Sequence, residues 1–189
     1  MYRVNTIYPA FMGEQNKFGI GRRCVFVRFS GCNIRCYEKT MGITCDTPEA
    51  LCGKSGVGMS TAEIVDTLRE YNIRTICLTG GEPLMQNPVE LLEELSREGY
   101  SVVVETNGTI SVAPFVHIRN VSFVVDYKAP SAGVRSFELD NFKYLRRDDY
   151  LKFVIYDDED YEDMKRICDM MKGKVNLVAG LFWGAKIGY

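Results

Sequence analysis

Apolar and polar positions along this chain of 189 residues follow two rhythms. Short runs rich in β-branched and aromatic residues, at 24–29, 74–78, 101–104, 121–125, 151–156 and 175–178, read as strands. Between them the apolar positions recur at helical spacing. One helix begins after Ser60 or Thr61, with Glu63 in its first turn and Ile64, Val65 and Leu68 on its apolar face. A second starts at Asn87-Pro88, read as a cap followed by proline at the first position, carries Leu91, Leu92 and Leu95, and stops at Gly99. A third covers 160–172. Residues 1–20 read as irregular, and 135–149, charged and aromatic, as room for a short helix. Residues 31–59 form a long loop with five glycines and Pro48, and a connection of that length usually has a function.

Alternating strands and helices imply a parallel sheet with right-handed crossovers. About six strands are too few for a closed eight-stranded barrel, so the expected fold is α/β, a partial, open (β/α) barrel of mainly parallel strands. No linker or repeat divides the chain, which reads as one domain, 1–189, with the loop 31–59 inserted.

The strand ends carry the chemistry. Cys32 and Cys36 follow the first strand, Thr79-Gly80-Gly81-Glu82-Pro83 the second, Glu105-Thr106-Asn107-Gly108 the third and Asp126-Tyr127-Lys128 the fourth. In barrel-like α/β folds the carboxyl ends of the strands are where active sites collect. Composition narrows the choice. A net charge of −2 gives no bulk electrostatic case for nucleic acid or an anionic membrane. No apolar run approaches the roughly 20 residues that cross a bilayer, and the first residues lack the apolar core of a signal peptide. The cytoplasm is the expected compartment. Seven cysteines without an export signal argue against a disulfide framework and for metal or redox chemistry. Cys24, Cys77 and Cys168 lie in apolar patterns and read as core side chains. Cys32, Cys36 and Cys45 group in one loop, with Cys52 as a spare. Three soft thiolates suit a 4Fe–4S cluster with one open iron. A structural zinc would need a fourth ligand, Cys52 or a carboxylate, because His117 is the only histidine and lies far along the chain. Spacing alone leaves both open.

Cys-x3-Cys with a third cysteine, followed by Gly-Gly-Glu-Pro at the next strand end, resembles the radical S-adenosylmethionine superfamily. More narrowly, Gly13-Glu14, the run from Phe26 to Asn33, Cys45-Asp46-Thr47, Gly80-Gly81-Glu82-Pro83 and Glu105-Thr106-Asn107-Gly108 resemble the 7-carboxy-7-deazaguanine synthase family, over roughly residues 5 to 156. That family usually has Cys-x3-Cys-x2-Cys. Here Tyr37 to Thr44 lengthen the second gap, and Asp46-Thr47 after Cys45 marks Cys45 as the third ligand.

The resemblance implies a lyase of deazapurine and queuosine biosynthesis that uses a 4Fe–4S cluster, S-adenosylmethionine and Mg²⁺. It places Cys32, Cys36 and Cys45 on the cluster and Thr47 on Mg²⁺. Gly80, Gly81, Glu82, Asn107 and Lys128 would face the cofactor, with Glu82 accepting from its ammonium group, and Glu14 and Arg28 would hold a pterin substrate. It also implies a homodimer and an electron donor such as flavodoxin or ferredoxin. Relatives continue into a basic tail, whereas this sequence ends in 181–189, short and apolar, so the pocket is expected to close differently or with its cover compromised. Two rivals stand beside this reading: a glycyl-radical-enzyme activating protein, and a non-catalytic zinc or Fe–S binding module. Asp126 is a weaker candidate. His117 reads as a structural histidine, and the acidic run 157–160 as a helix N-terminus.

Overall fold

Successive side chains of a strand point to opposite faces of a sheet, and that alternation organises this molecule. The structure, a computed structural model, describes residues 1–134 and 137–188. Its elements are β1 Tyr2–Phe11, β2 Arg23–Phe29, α1 Glu38–Met41, β3 Val57–Met59, α2 Thr61–Glu70, β4 Thr75–Gly80, α3 Val89–Arg97, β5 Ser101–Thr106, β6 Val121–Tyr127, α4 Asn141–Tyr144, β7 Tyr150–Asp157, α5 Asp158–Met171 and β8 Asn176–Lys186. The strands form one sheet in the order β3-β1-β2-β4-β5-β6-β7-β8, with β3 and β8 as its two ends. From β2 to β8 every pairing is parallel, while β1 runs antiparallel to both β2 and β3. The partial, open barrel expected from the sequence is therefore present, with eight strands in place of about six.

The additional strands lie where the sequence reads as irregular. β1 mixes Arg3, Asn5 and Thr6 with apolar residues, contains Pro9, and shifts register against β2 between Val4 and Thr6. It is a strand because β2 supplies the ladder, and no local run announces it. The loop 31–59 holds α1, a 3₁₀ turn at Pro48–Ala50 and β3. β8 is longer than the segment 175–178 suggested, because glycines at 180 and 184 interrupt its apolar pattern.

One face of the sheet is covered by helices. Val27, Leu78, Val104, Phe123, Val125, Leu151 and Phe153 are buried there in one cluster with Ile64 and Leu68 of α2, Leu91 and Leu95 of α3, and Ile167 and Met171 of α5. The helix signals correspond to physical caps. Ser60 accepts from the Glu63 N–H while the Glu63 carboxylate takes the Ser60 N–H, a complete capping box. Asp157 accepts from the Asp160 N–H and opens α5 at Asp158, two residues before the expected start. At α3 the signal is displaced by one. Asn87 closes the preceding 3₁₀ turn at φ 45°, and Pro88 occupies the cap position. In the segment 135–149, α4 is the short helix. Phe137 and Phe142 stack on one another and pack against Tyr127 at the end of β6. Among the described residues no helix is long and apolar enough to cross a membrane.

Candidate active site

Because β2 and β4–β7 are parallel, their carboxyl ends share one rim. On the face away from the helices, Met12, Cys24, Cys77, Val103 and Val124 form a small buried cluster. Nearer the rim on that face stand Arg28, Thr79, Glu105, Asp126 and Lys152, one from each strand. The register places Arg28 beside Thr79 and Asp126 beside Lys152. Together with the loops these residues enclose a cavity of about 260 Å³. The loop after β2 brings Cys32, Cys36, Cys45 and Thr47. The turns after β4, β5 and β6 bring Gly80 and Gly81, Asn107, and Lys128, and the β1–β2 loop brings Glu14. Every residue that the sequence proposed for the site lies on this cavity except Glu82.

The three thiols line the same cavity. Among the described residues no group of three or more His, Cys, Asp or Glu could hold a single metal ion. Three soft thiolates on one cavity are the donor type that a 4Fe–4S cluster takes. Cys52, the spare, is exposed and lies off the cavity. The Cys36 thiol is pushed up by burial, partly offset by Lys128, with Asp126, Cys32 and Cys45 adding to the rise. The Asn107 amide donates to Cys32 Sγ at 3.8 Å and to Asn33 Oδ1 at 3.1 Å, so the β5 turn and the cysteine loop hold each other. Cys45 Sγ lies 3.5 Å from both the Thr47 backbone N–H and its hydroxyl. Cys24 and Cys77 belong to the buried cluster, where burial pushes the Cys24 thiol up to about 11 and holds the Cys77 thiol well above its ordinary range. They are inert core groups.

A family model described as a 4Fe-4S single cluster domain matches residues 18–120, a span containing all three loop thiols. The 7-carboxy-7-deazaguanine synthase of Thermoplasma acidophilum is 34% identical, over 97% of this chain and 84% of its own length. Its namesakes from Clostridium acetobutylicum and Leptospira interrogans are 36% and 35% identical, over 90% and 93% of this chain and 74% and 80% of their own. The chain belongs to the 7-carboxy-7-deazaguanine synthase family. A crystal structure titled QueE from Escherichia coli has the same fold, with a TM-score of 0.75 at 19% identity, covering 96% of this chain and 84% of that one. As a 7-carboxy-7-deazaguanine synthase family member, the chain is a radical S-adenosylmethionine enzyme with a 4Fe–4S cluster.

Two parts of the Gly80-Gly81-Glu82-Pro83 motif carry structural constraints that the sequence does not announce. Gly80, at φ +124°, has its missing Cβ position 2.2 Å from the Phe29 carbonyl oxygen, and that of Gly81 is 2.0 Å from the Gly31 carbonyl oxygen. Only glycine lets this turn lie against the start of the cysteine loop. The pair edges the cavity, but its first constraint is backbone against backbone. Glu82 is the correction. The sequence aimed it at the cofactor's ammonium, yet it is fully buried behind the lining. Its Oε1 accepts from the Leu84 N–H at 3.0 Å and the Thr106 hydroxyl at 2.8 Å, and its Oε2 from the Asn107 N–H at 2.7 Å. Burial raises its pKa, and these hydrogen bonds pull part of the way back. Glu82 is thus a strut that shapes the Thr106-Asn107 turn.

The remaining charges are unevenly paired. Lys128 donates to Asp126 Oδ2 at 2.7 Å. Burial works against its charge, but Asp126 and Cys36 outweigh it and the ammonium is held charged. Asp126 Oδ1 has no partner, the single buried side-chain atom so placed among the described residues. Lys152 donates to Glu14 Oε1 at 2.6 Å. Arg28 donates to the Tyr8 hydroxyl at 2.9 Å and, among the described residues, meets no carboxylate. Glu105, whose pKa burial raises, accepts from the Thr79 hydroxyl at 2.9 Å. The sequence reading passed over Thr79, Glu105 and Lys152 as site residues. The signal was the period-two polar position near the end of each apolar strand. His117 lies on the surface, 3.7 Å from Glu93, away from the cavity.

Proposed function

We propose that this chain converts 6-carboxy-5,6,7,8-tetrahydropterin to 7-carboxy-7-deazaguanine with loss of ammonia, as one radical S-adenosylmethionine core domain. The observation that carries the reading is the meeting of Glu14, Arg28 and Thr47 with the three loop thiols on one cavity of about 260 Å³. A glycyl-radical activating protein acts on a polypeptide and gives Glu14, Arg28 and Thr47 no shared small-molecule pocket. A zinc module is disfavoured by the match to a 4Fe-4S single cluster domain over residues 18–120, which contain all three thiols.

In this reading Cys32, Cys36 and Cys45 hold the cluster and leave one iron open. When bound, the reduced cluster supplies the electron that breaks a carbon–sulfur bond of S-adenosylmethionine. Gly80, Gly81, Asn107 and Lys128 bind that cofactor. The ammonium of Lys128 offers charge to its carboxylate, and the unpartnered Asp126 oxygen accepts from one of its donors, since a buried acceptor left empty costs about 1–3 kcal/mol. Glu14 accepts from the amino-pyrimidine edge of the pterin. Arg28, the cavity cation without a carboxylate of its own, takes the substrate carboxylate bidentately. Thr47 offers a hard oxygen to Mg²⁺. The apolar cluster beneath the charged row keeps water from the reacting atoms. The reading includes a homodimer, a flavodoxin or ferredoxin as one-electron donor, and the cytoplasm as compartment.

The test is anaerobic reconstitution with iron, sulfide and reductant, followed by incubation with S-adenosylmethionine, Mg²⁺ and the pterin. Formation of the deazaguanine is expected. A loaded enzyme that cleaves S-adenosylmethionine and leaves the pterin unchanged would overturn the substrate assignment.

A further inference from the structure

The ion pair between Lys152 and Glu14 joins residues 138 apart in sequence, across the cavity. No motif announces Lys152. Glu14 stands on the loop between β1 and β2, whose backbone is fixed locally, with the Asn16 amide donating to the Glu14 carbonyl at 2.7 Å. Its carboxylate makes one contact among the described residues, the 2.6 Å bond from the Lys152 ammonium to Oε1. The side chains are 22% and 33% exposed, so water screens the pair less than an open surface pair. Lys152 itself is held by the sheet. β6 and β7 pair Asp126 directly with Lys152, so the Lys152 stem leaves the sheet on the same face as a second carboxylate. A strand residue thereby holds a loop carboxylate that has no other side-chain partner among the described residues. Lys152 takes one lone pair of Oε1, and the other lone pair of Oε1 and both of Oε2 have no partner among the described residues, on a cavity that Arg28 and Lys128 also line.

We propose that Lys152 is a positioning and specificity-determining residue, which aims the Glu14 carboxylate at a ligand edge carrying two adjacent N–H donors. The inference rests on the pterin reading above, because it is that edge of an amino-pyrimidine that offers the two donors. A carboxylate accepts such an edge through both oxygens only when its plane is set. Lys152 sets it, and a ring lacking the amino group loses the benefit.

The experiment compares wild type, Lys152→Met, Lys152→Arg, Glu14→Gln and the Lys152→Met/Glu14→Gln double variant, each reconstituted anaerobically and matched for cluster content. Equilibrium binding of the pterin and of its 2-deamino analogue is measured without reductant, and KM and kcat with it. Lys152→Met is expected to weaken pterin binding and raise KM by about tenfold, the scale of one charged hydrogen bond. The change in kcat stays within about threefold, and Lys152→Arg restores most of the loss. The analogue is expected to bind wild type and Lys152→Met alike. The double variant should be no worse than Glu14→Gln, as residues acting through one another require. Additive losses, an unchanged KM, or a fall in kcat at constant KM would each overturn the proposal. Lys152→Gln, which keeps a polar head, replaces Lys152→Met if the latter does not load its cluster. Failure of the wild type to bind or convert the pterin sinks the functional reading instead, whereas an active wild type with an indifferent Lys152→Met sinks this inference alone.

Discussion

On the helix-covered face of the sheet Val27, Leu78, Val104, Val125 and Leu151 are all buried and all apolar. One residue further along each strand, on the opposite face, stand Arg28, Thr79, Glu105, Asp126 and Lys152. The two rows share the same backbone and the same hydrogen-bonded ladders, so what separates them is the direction of a Cα–Cβ bond. The first row is there to be withdrawn from water. The second holds charges in a recess where their cost is set against the binding of a charged ligand, and its groups are only partly matched to one another. Stability and recognition are thus written in alternate letters of the same strands.

That contrast can be broken from either side. The largest effect expected is on chemistry. Cys32→Ala removes one corner of the cluster's support, and S-adenosylmethionine cleavage should vanish, while a thermal melt of the protein without its cluster moves little. On the other face Leu78→Ala should leave a cavity and cost about 2–5 kcal/mol in denaturant unfolding, with cluster uptake retained in whatever fraction stays folded. Glu82→Ala falls between the two faces. It strands the Thr106 hydroxyl and the Asn107 N–H in a buried site, at about 1–3 kcal/mol for an unsatisfied group. It should also loosen the turn that places Asn107 on Cys32, so both melting and cofactor binding suffer. Arg28→Lys keeps the charge but loses the planar fork, and KM for the pterin should rise about tenfold with stability almost unchanged.

Smallest is Glu105→Gln. Burial chiefly, with Glu14 adding, raises the Glu105 pKa above its ordinary 4.5, against the pull of Cys77, Thr79 and Lys152. The native state therefore holds this proton more tightly than the unfolded chain. Its stabilising contribution is complete below about 4.5 and fades as pH climbs through the raised value. The amide removes the charged form, so Glu105→Gln should melt slightly higher than wild type at neutral pH. The difference should close in acid below the ordinary carboxylate range.

Much of this was legible in the residues themselves. Strands buried on both faces read as unbroken apolar runs with polar ends, which is why β2 and β4–β7 stood out. The cysteine spacing and the Gly-Gly-Glu-Pro turn marked the chemistry before any geometry. β1 escaped because its partner, not its own composition, makes it a strand, and β8 because its glycines hide its length. Within the site, Thr79, Glu105 and Lys152 each sit inside or beside an apolar run, where one polar residue looks like noise. Only the strand register shows that they fall in one row. Glu82 misled for the opposite reason. A motif names a residue but not the direction it faces, and the sharp turn at Gly80 sends that side chain inward.

The glycine at position 81 has a consequence for how this protein can change. Its absent methyl would overlap the Gly31 carbonyl oxygen at 2.0 Å, so the turn after β4 and the peptide leading into the cysteine loop are in contact with no room between them. Neither can drift, lengthen or gain a side chain at that point without moving the other. The long detour from Tyr37 to Thr44 lies beyond this clasp, so its length can change without parting the two turns.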